Sequence, residues 1–216
     1  DWYAPLDKAI EDDFITHLFE DSFEEDPLRM ALFHLPVKLA GLAIPKPTVT
    51  GEMNYKASRM TTQYLITAAL DRAIEFKVTD YTDSTVEARQ QITRQKMIFY
   101  QEAYDNLMEQ IGKKGKYDRR AIERAKETGI WLSLLPTHYN GTVLSPSEFK
   151  DFLHIRYGLT PKDLPDKCDG CGGKFNVQHA LGCKKGGLVI QRHDELKYTM
   201  ISVFSMAVGQ GQVKNK

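Results

Sequence analysis

The sequence predicts a mostly α protein: a helical bundle with one short extended element and a small irregular module late in the chain. Three observations carry this. Apolar residues recur every three to four positions in several long stretches, the spacing of one face of an amphipathic helix. Proline and capping signals open some of these stretches. All three cysteines of the 216-residue chain fall between positions 168 and 183, in a segment too poor in apolar side chains to fold by core burial.

Each element has its own signal. Leu6, Ile10, Phe14 and Leu18 repeat every four residues and give a first helix its inner face, with Glu11, Asp12 and Asp13 outside. Asp26-Pro27 opens a short second helix with an N-cap and a proline in the first turn. Leu35 to Pro45 is too short and too bounded by proline for a helix, and reads as a tight extended element with a turn near Gly41. Met53, Ala57, Met60 and Tyr64 mark a helix from about Gly51 to Asp71. Asp83 or Ser84 caps a long helix whose inner face is Met97, Tyr100, Tyr104, Leu107 and Ile111. Gly112 to Lys116 ends it as a basic, flexible turn.

Asp118 starts a shorter helix that stops at Gly129, and Ile130 to Leu135 is a small apolar segment closed by Pro136. Ser145-Pro146-Ser147-Glu148 is a capping box with proline at the first helical position. The helix it opens runs through Phe149, Leu153 and Ile155 to Gly158. A last helix starts near Arg192 with Leu196, Met200, Phe204 and Ala207 inward. Asp194 and Glu195 then sit at its first turn, where carboxylates favour the macrodipole.

Hydrophobic residues make up 42% of the chain, enough for a core. No apolar run approaches the roughly 20 residues of a membrane span. No signal peptide is visible, and an odd, clustered set of cysteines suits a reducing compartment. The expectation is an intracellular protein, nuclear or cytoplasmic, and not secreted. The chain opens at Asp1 without Met and stops at Lys216 in a polar stretch, so both ends read as cuts through a longer polyprotein.

The net charge is zero but unevenly spread. Residues 1–30 hold ten acidic and two basic side chains, leaving 27 basic and 19 acidic in residues 31–216. A cationic body behind an acidic entry segment favours polyanions, because Lys and Arg displace counterions from phosphates.

The strongest chemical signal is Cys168-x2-Cys171-x7-His179-x3-Cys183. Three thiolates and one imidazole complete a zinc tetrahedron, and with no position left for water the site is structural rather than catalytic. Gly170, Gly172 and Gly173 permit the bends around the first pair. Lys167, Lys174, Lys184, Lys185 and Arg192 surround the cluster, as cations around a rigid turn do where a phosphate backbone is gripped. Phe175 either stacks on a base or packs on the knuckle.

In order along the chain, these blocks resemble a known family. The knuckle ligands, then Gly186-Gly187, then Arg192-His193-Asp194 are similar to the linker of site-specific non-LTR retrotransposons. In that family a cysteine–histidine knuckle lies between the reverse transcriptase and a restriction-like endonuclease. Leu35 to Ile44 resembles the family's Leu-Pro…Gly-Gly-Leu-Gly-Ile element beyond the polymerase palm, with Ala40 in place of the first Gly. Trp131 to Pro136, Phe149-Lys150-Asp151 and Arg156-Tyr157-Gly158 look like further landmarks.

The resemblance implies an RNA-directed DNA polymerase parent and four regions. These are a thumb-like helical region at 1–78, a helical linker at 79–160, a zinc knuckle at 161–190, and a helix at 191–216 leading into a truncated endonuclease domain. The implied partners are RNA, DNA or both, with no membrane. Polymerase chemistry does not carry over, because Asp12-Asp13 lies on a charged helix face rather than at a β-turn. Two alternatives stand beside the binding module: a metal-dependent nuclease using His193, Asp194 and Glu195, and a domesticated scaffold that keeps the knuckle only for folding.

Overall fold

The computed structural model describes residues 2–21, 23, 25–71, 75–114, 119–139, 141–185 and 188–208. It is mostly α, and no strand occurs among the described residues. The chain divides into two compact units, Asp1–Leu159 and Thr160–Lys216. The stretches 1–78 and 79–159 thus share one unit.

In the first unit, helix α1 runs through three segments: Ala4–Lys8, a π-helical stretch Ala9–Ile15, and Thr16–Phe19. The π stretch corrects the face read from the sequence. Leu6 and Phe14 are exposed, and the buried residues are Asp7, Ile15 and Phe19. A four-residue repeat presumes about 3.6 residues per turn, whereas π hydrogen bonds span five residues and rotate the inner face. The buried Asp7 has a function in the fold: it accepts the Thr48 backbone N–H at 3.3 Å and the Thr48 hydroxyl. Thr48 lies at the start of helix α3, Pro47–Leu70, whose own N-cap residue Lys46 supplies no side-chain bond. A carboxylate from α1 therefore caps α3.

Helix α2, Pro27–Phe33, forms as its sequence signal predicts, with the Asp26 carboxylate accepting the Arg29 N–H. The following segment keeps the expected turn near Gly41 but not the extended element. Val37–Leu39 is a 3₁₀ turn rather than an extended element. Ala40 then takes a left-handed φ of 68°, and Leu42 to Lys46 has no regular structure. The chain folds back so tightly that a Cβ on Gly41 would lie 1.7 Å from the Leu35 carbonyl oxygen, which makes glycine necessary there. Ala43 N–H donates back to that same oxygen at 2.8 Å.

Helix α3 starts four residues earlier than expected and pairs with helix α4, Val78–Lys114. Asp83 and Ser84 lie inside α4 rather than at its cap. Gly112 and Lys113 are helical, while Gly115, Lys116 and Asp118 fall outside the described residues. Tyr104, Leu107 and Ile111 are buried as predicted; Met97 is exposed. Helix α5, Arg119–Glu127, leads into a 3₁₀ turn at Gly129–Ser133, and helix α6, Pro146–Arg156, carries the predicted capping box with both reciprocal bonds.

The core gathers Ile15, Phe19, Phe33, Leu107, Ile122, Leu153 and their neighbours from α1, α2, α4, α5 and α6. At its centre Phe19 stacks on Phe33 with ring centroids 4.6 Å apart. Large apolar side chains at these positions supply the area whose removal from water drives folding.

In the second unit, helix α7, Val177–Gly182, is followed by helix α8, Leu188–Val208. Two expectations fail in α8. It starts four residues before Arg192, so Asp194 and Glu195 sit in its second turn, beyond the end where the dipole acts strongly. Leu196, Met200, Phe204 and Ala207 are exposed rather than inward. A periodic apolar stripe marks a face that fits a neighbour, and no described residue covers this one. Among the described residues no helix is long and apolar enough to cross a membrane.

Candidate metal centre

The second unit has too little core to hold an irregular loop, so its local geometry depends on hydrogen bonds and turns. Residues 166–168 and 173–175 run antiparallel through an isolated bridge between Lys167 and Lys174. Cys168 N–H donates to the Gly173 carbonyl at 2.8 Å, and Phe175 N–H to the Asp166 carbonyl at 3.0 Å. Between them the chain doubles back, with Gly172 N–H on the Cys168 carbonyl at 2.7 Å. Gly172 has φ of +71°, a left-handed conformation that glycine adopts without steric cost. The turn leaves the Gly173 N–H pointing at Cys171 Sγ, 3.4 Å away.

The other two ligand candidates come from α7. Asn176 caps that helix, its side-chain oxygen accepting the His179 N–H at 2.7 Å. This fixes the third helical residue, His179, towards the turn. Cys183 N–H then closes the helix on the His179 carbonyl at 2.8 Å.

The result is a convergent set. One donor atom each from Cys168, Cys171, His179 and Cys183 lies within 4.8 Å of all the others. Cys168 Sγ and Cys183 Sγ are 3.8 Å apart, and Cys171 Sγ is 3.2 Å from His179 Nε2. Cys168 and Cys183 are buried, His179 is half-buried, and Cys171 is exposed. All three cysteines are free thiols, and the four side chains together can hold a metal ion.

The electrostatics suit a cation. Backbone hydrogen bonding from Cys171, the His179 side chain and the Gly170 backbone pull the Cys168 thiol down to about 6. At Cys183 the Lys185 backbone acts downward, but burial and the neighbouring Cys168 and Cys171 sulfurs outweigh it and raise the thiol. Close sulfurs ionise in turn rather than together, and a metal ion removes that conflict.

Four of the expected contact residues lie next to this group along the chain. Lys167 and Lys174 face each other across the bridge, and Lys184 and Lys185 follow Cys183 directly, all exposed. Arg192 is exposed on α8. Phe175 is half-buried with its ring 6.1 Å from the His179 ring at 63°, so it leans on the ligand histidine. Gly186 and Gly187 fall outside the described residues. His193, Asp194 and Glu195 are exposed on α8, with Asp194 3.4 Å from its neighbour His193 and Glu195 accepting from Gln191. Adjacent residues on a helix point about 100° apart, so Asp194 and Glu195 do not converge on one point.

One feature of the first unit escaped the sequence. A cavity of about 610 Å³ is lined by Phe23, Met30, Val49, Phe99 and Tyr100. At its edge Glu11 Oε1 meets His34 Nε2 at 3.1 Å and Lys46 Nζ at 2.6 Å. These residues are spread over 90 positions of sequence in no common motif, so no local pattern marks them.

Compared with protein-family models, curated proteins and solved structures, the chain matches none.

Proposed function

We propose that the chain is a nucleic-acid-binding part of a retroelement reverse transcriptase, gripping template RNA or target DNA through a structural zinc knuckle and the basic surface around it. The observation that carries the reading is the convergence of Cys168, Cys171, His179 and Cys183 within 4.8 Å, with the exposed Lys167, Lys174, Lys184 and Lys185 close to them in the chain. Zinc suits the set chemically. With Zn–S bonds of about 2.3 Å, two sulfurs at tetrahedral corners lie about 3.8 Å apart. The separation of Cys168 and Cys183 is 3.8 Å. A full Cys₃His shell leaves no corner for a catalytic water, so zinc would supply folding energy rather than chemistry.

The nucleic-acid part rests on charge. Lys167, Lys174, Lys184, Lys185 and Arg192 make no ion pair among the described residues. Cations held near a rigid turn position a phosphate backbone without reading sequence. The parentage rests on the ordered resemblance of the knuckle and the Leu35–Ile44 block to site-specific non-LTR retrotransposons.

Native mass spectrometry and fluorescence anisotropy test the reading together. The expected result is one zinc per chain and binding to RNA, DNA and hybrid oligonucleotides that weakens steeply with salt. Each phosphate contact gives a slope of about −0.7 on single strands and −0.9 on duplex. Zinc bound with no detectable binding at low salt would leave a scaffold. Magnesium-dependent cleavage lost in Asp194→Asn would replace the binding module with a nuclease.

A further inference from the structure

We propose that Lys167 and Lys174 act as one clamp on a single nucleic-acid phosphate, on the hairpin face turned away from the metal ligands. The inference rests on the nucleic-acid reading above and specifies where and how the backbone is held.

The geometry starts from the bridge. Lys167 and Lys174 are directly opposite in an antiparallel pair. The bonds from Cys168 to Gly173 and from Phe175 to Asp166 flank the pair and do not join it. It is therefore the non-hydrogen-bonded kind, in which Cα atoms approach to about 4.5 Å and side chains are closest. Alternation along each strand sends Lys167 and Lys174 to one face and their neighbours Cys168 and Phe175 to the other. The contact of Phe175 with His179 fits that division, since it places Phe175 on the ligand side. Both lysines are exposed.

The charge arrangement needs a ligand. Like charges directly opposite destabilise a strand pair. Neither lysine has an acidic partner among the described residues. The turn at Gly172 and the flanking backbone bonds hold the two lysine positions opposite each other regardless, so both ammonium groups can reach one ligand. A phosphodiester has two unesterified oxygens and one negative charge. It accepts a hydrogen bond from each ammonium and offsets their repulsion, which a single lysine would not require. Such a clamp touches no base, so it accepts RNA and DNA without sequence preference.

The zinc-loaded full chain tests this by anisotropy on a labelled oligothymidylate and a labelled duplex, over roughly 50 to 200 mM salt. The variants are Lys167→Gln, Lys174→Gln, the double Gln variant and the double Arg variant, each checked for bound zinc by native mass spectrometry. One shared phosphate predicts that the double Gln variant flattens the slope by one contact, about 0.7 on the single strand and 0.9 on the duplex. Affinity should fall about five- to eightfold near 100 mM salt. Either single Gln variant should already lose most of this, so the cycle is non-additive, and the double Arg variant should retain the slope. Additive losses summing to two contacts would show separate phosphates and overturn the clamp. An unchanged slope with weakened zinc retention would show that the lysines only balance the anionic metal centre, and would overturn it too. Absence of wild-type binding with zinc in place would remove the nucleic-acid reading itself; normal binding insensitive to both lysines removes the clamp alone.

Discussion

The Tyr157 hydroxyl donates to the Ala40 carbonyl at 2.9 Å, tying the end of α6 to a turn 117 residues earlier in the chain. Both partners are buried. Tyr157→Phe keeps the ring against Phe33 but leaves the Ala40 oxygen without this donor, which should cost about 1–3 kcal/mol. Burial also pushes the phenol up to about 12, against the opposing pull of Arg156, from an ordinary 10. The folded state favours the neutral form. Its contribution is therefore complete below pH 10 and lost as pH rises through about 12. Urea denaturation of both proteins at neutral and alkaline pH checks this, and a wild-type decline in that window shared equally by Tyr157→Phe would contradict it.

The Asp7 carboxylate capping Thr48 gives a graded prediction. Asp7→Ala removes both acceptor and charge and should destabilise by about 1–2 kcal/mol. Asp7→Asn keeps an acceptor and should lose only the charge–dipole part, about 0.3–1 kcal/mol. Thermal melts should rank wild type above Asn above Ala; equal melts for all three would mean that α3 does not depend on this cap.

Metal removal should act locally. The hairpin and α7 bury few large side chains, so chelation should expose their amides while the Phe19–Phe33 core stays protected. Hydrogen exchange with and without a chelator reads the difference segment by segment. Loss of protection spread evenly over residues 4–156 would show that the metal supports the first unit as well.

The Cys168 thiol predicts a pH signature in the metal-free chain. Its value of about 6 is depressed from the ordinary 9.0. The folded state favours the thiolate, so this contribution to stability is complete above about pH 9, shrinks as pH falls, and is gone below about 6. Thiolate absorbance should show one early step near pH 6 that disappears in Cys168→Ser. A titration with no step below the ordinary thiol range, or an early step that persists in Cys168→Ser, would count against the geometry.

Much of this was legible because some signals are local. Ser145 and Glu148 form both bonds of their capping box, and Asp26-Pro27 starts a helix, since caps depend only on residues three positions apart. The ligand spacing is equally local: a turn and one short helix bring Cys168, Cys171, His179 and Cys183 together. What stayed hidden depends on distant partners or on non-standard winding. Leu6 and Phe14 follow a regular repeat, yet the π stretch turns them outward and brings Asp7 and Ile15 in. The Leu35–Pro45 segment turns near Gly41 as its sequence suggests, but a 3₁₀ turn at Val37–Leu39 stands where the proline punctuation suited an extended chain. Leu196, Met200 and Phe204 have the periodicity of a buried face and are exposed, because periodicity specifies a face and not its neighbour.

Helices α3 and α4 have a mechanical consequence. Both are held at the same end: α3 where Asp7 meets Thr48, α4 where Tyr104, Leu107 and Ile111 enter the core. Away from that seat, among the described residues of the first unit, the pair is braced by contacts such as Lys96 to Asn54 at 3.0 Å and the Tyr64–Phe76 rings. It is a cantilever. At 1.5 Å per residue, the far end near Val78 lies about 40 Å along α4 from Tyr104. A rotation of about 5° at the seat displaces the tip by about 3.5 Å, and a sideways load at the tip returns to the Phe19–Phe33 core multiplied by that lever arm.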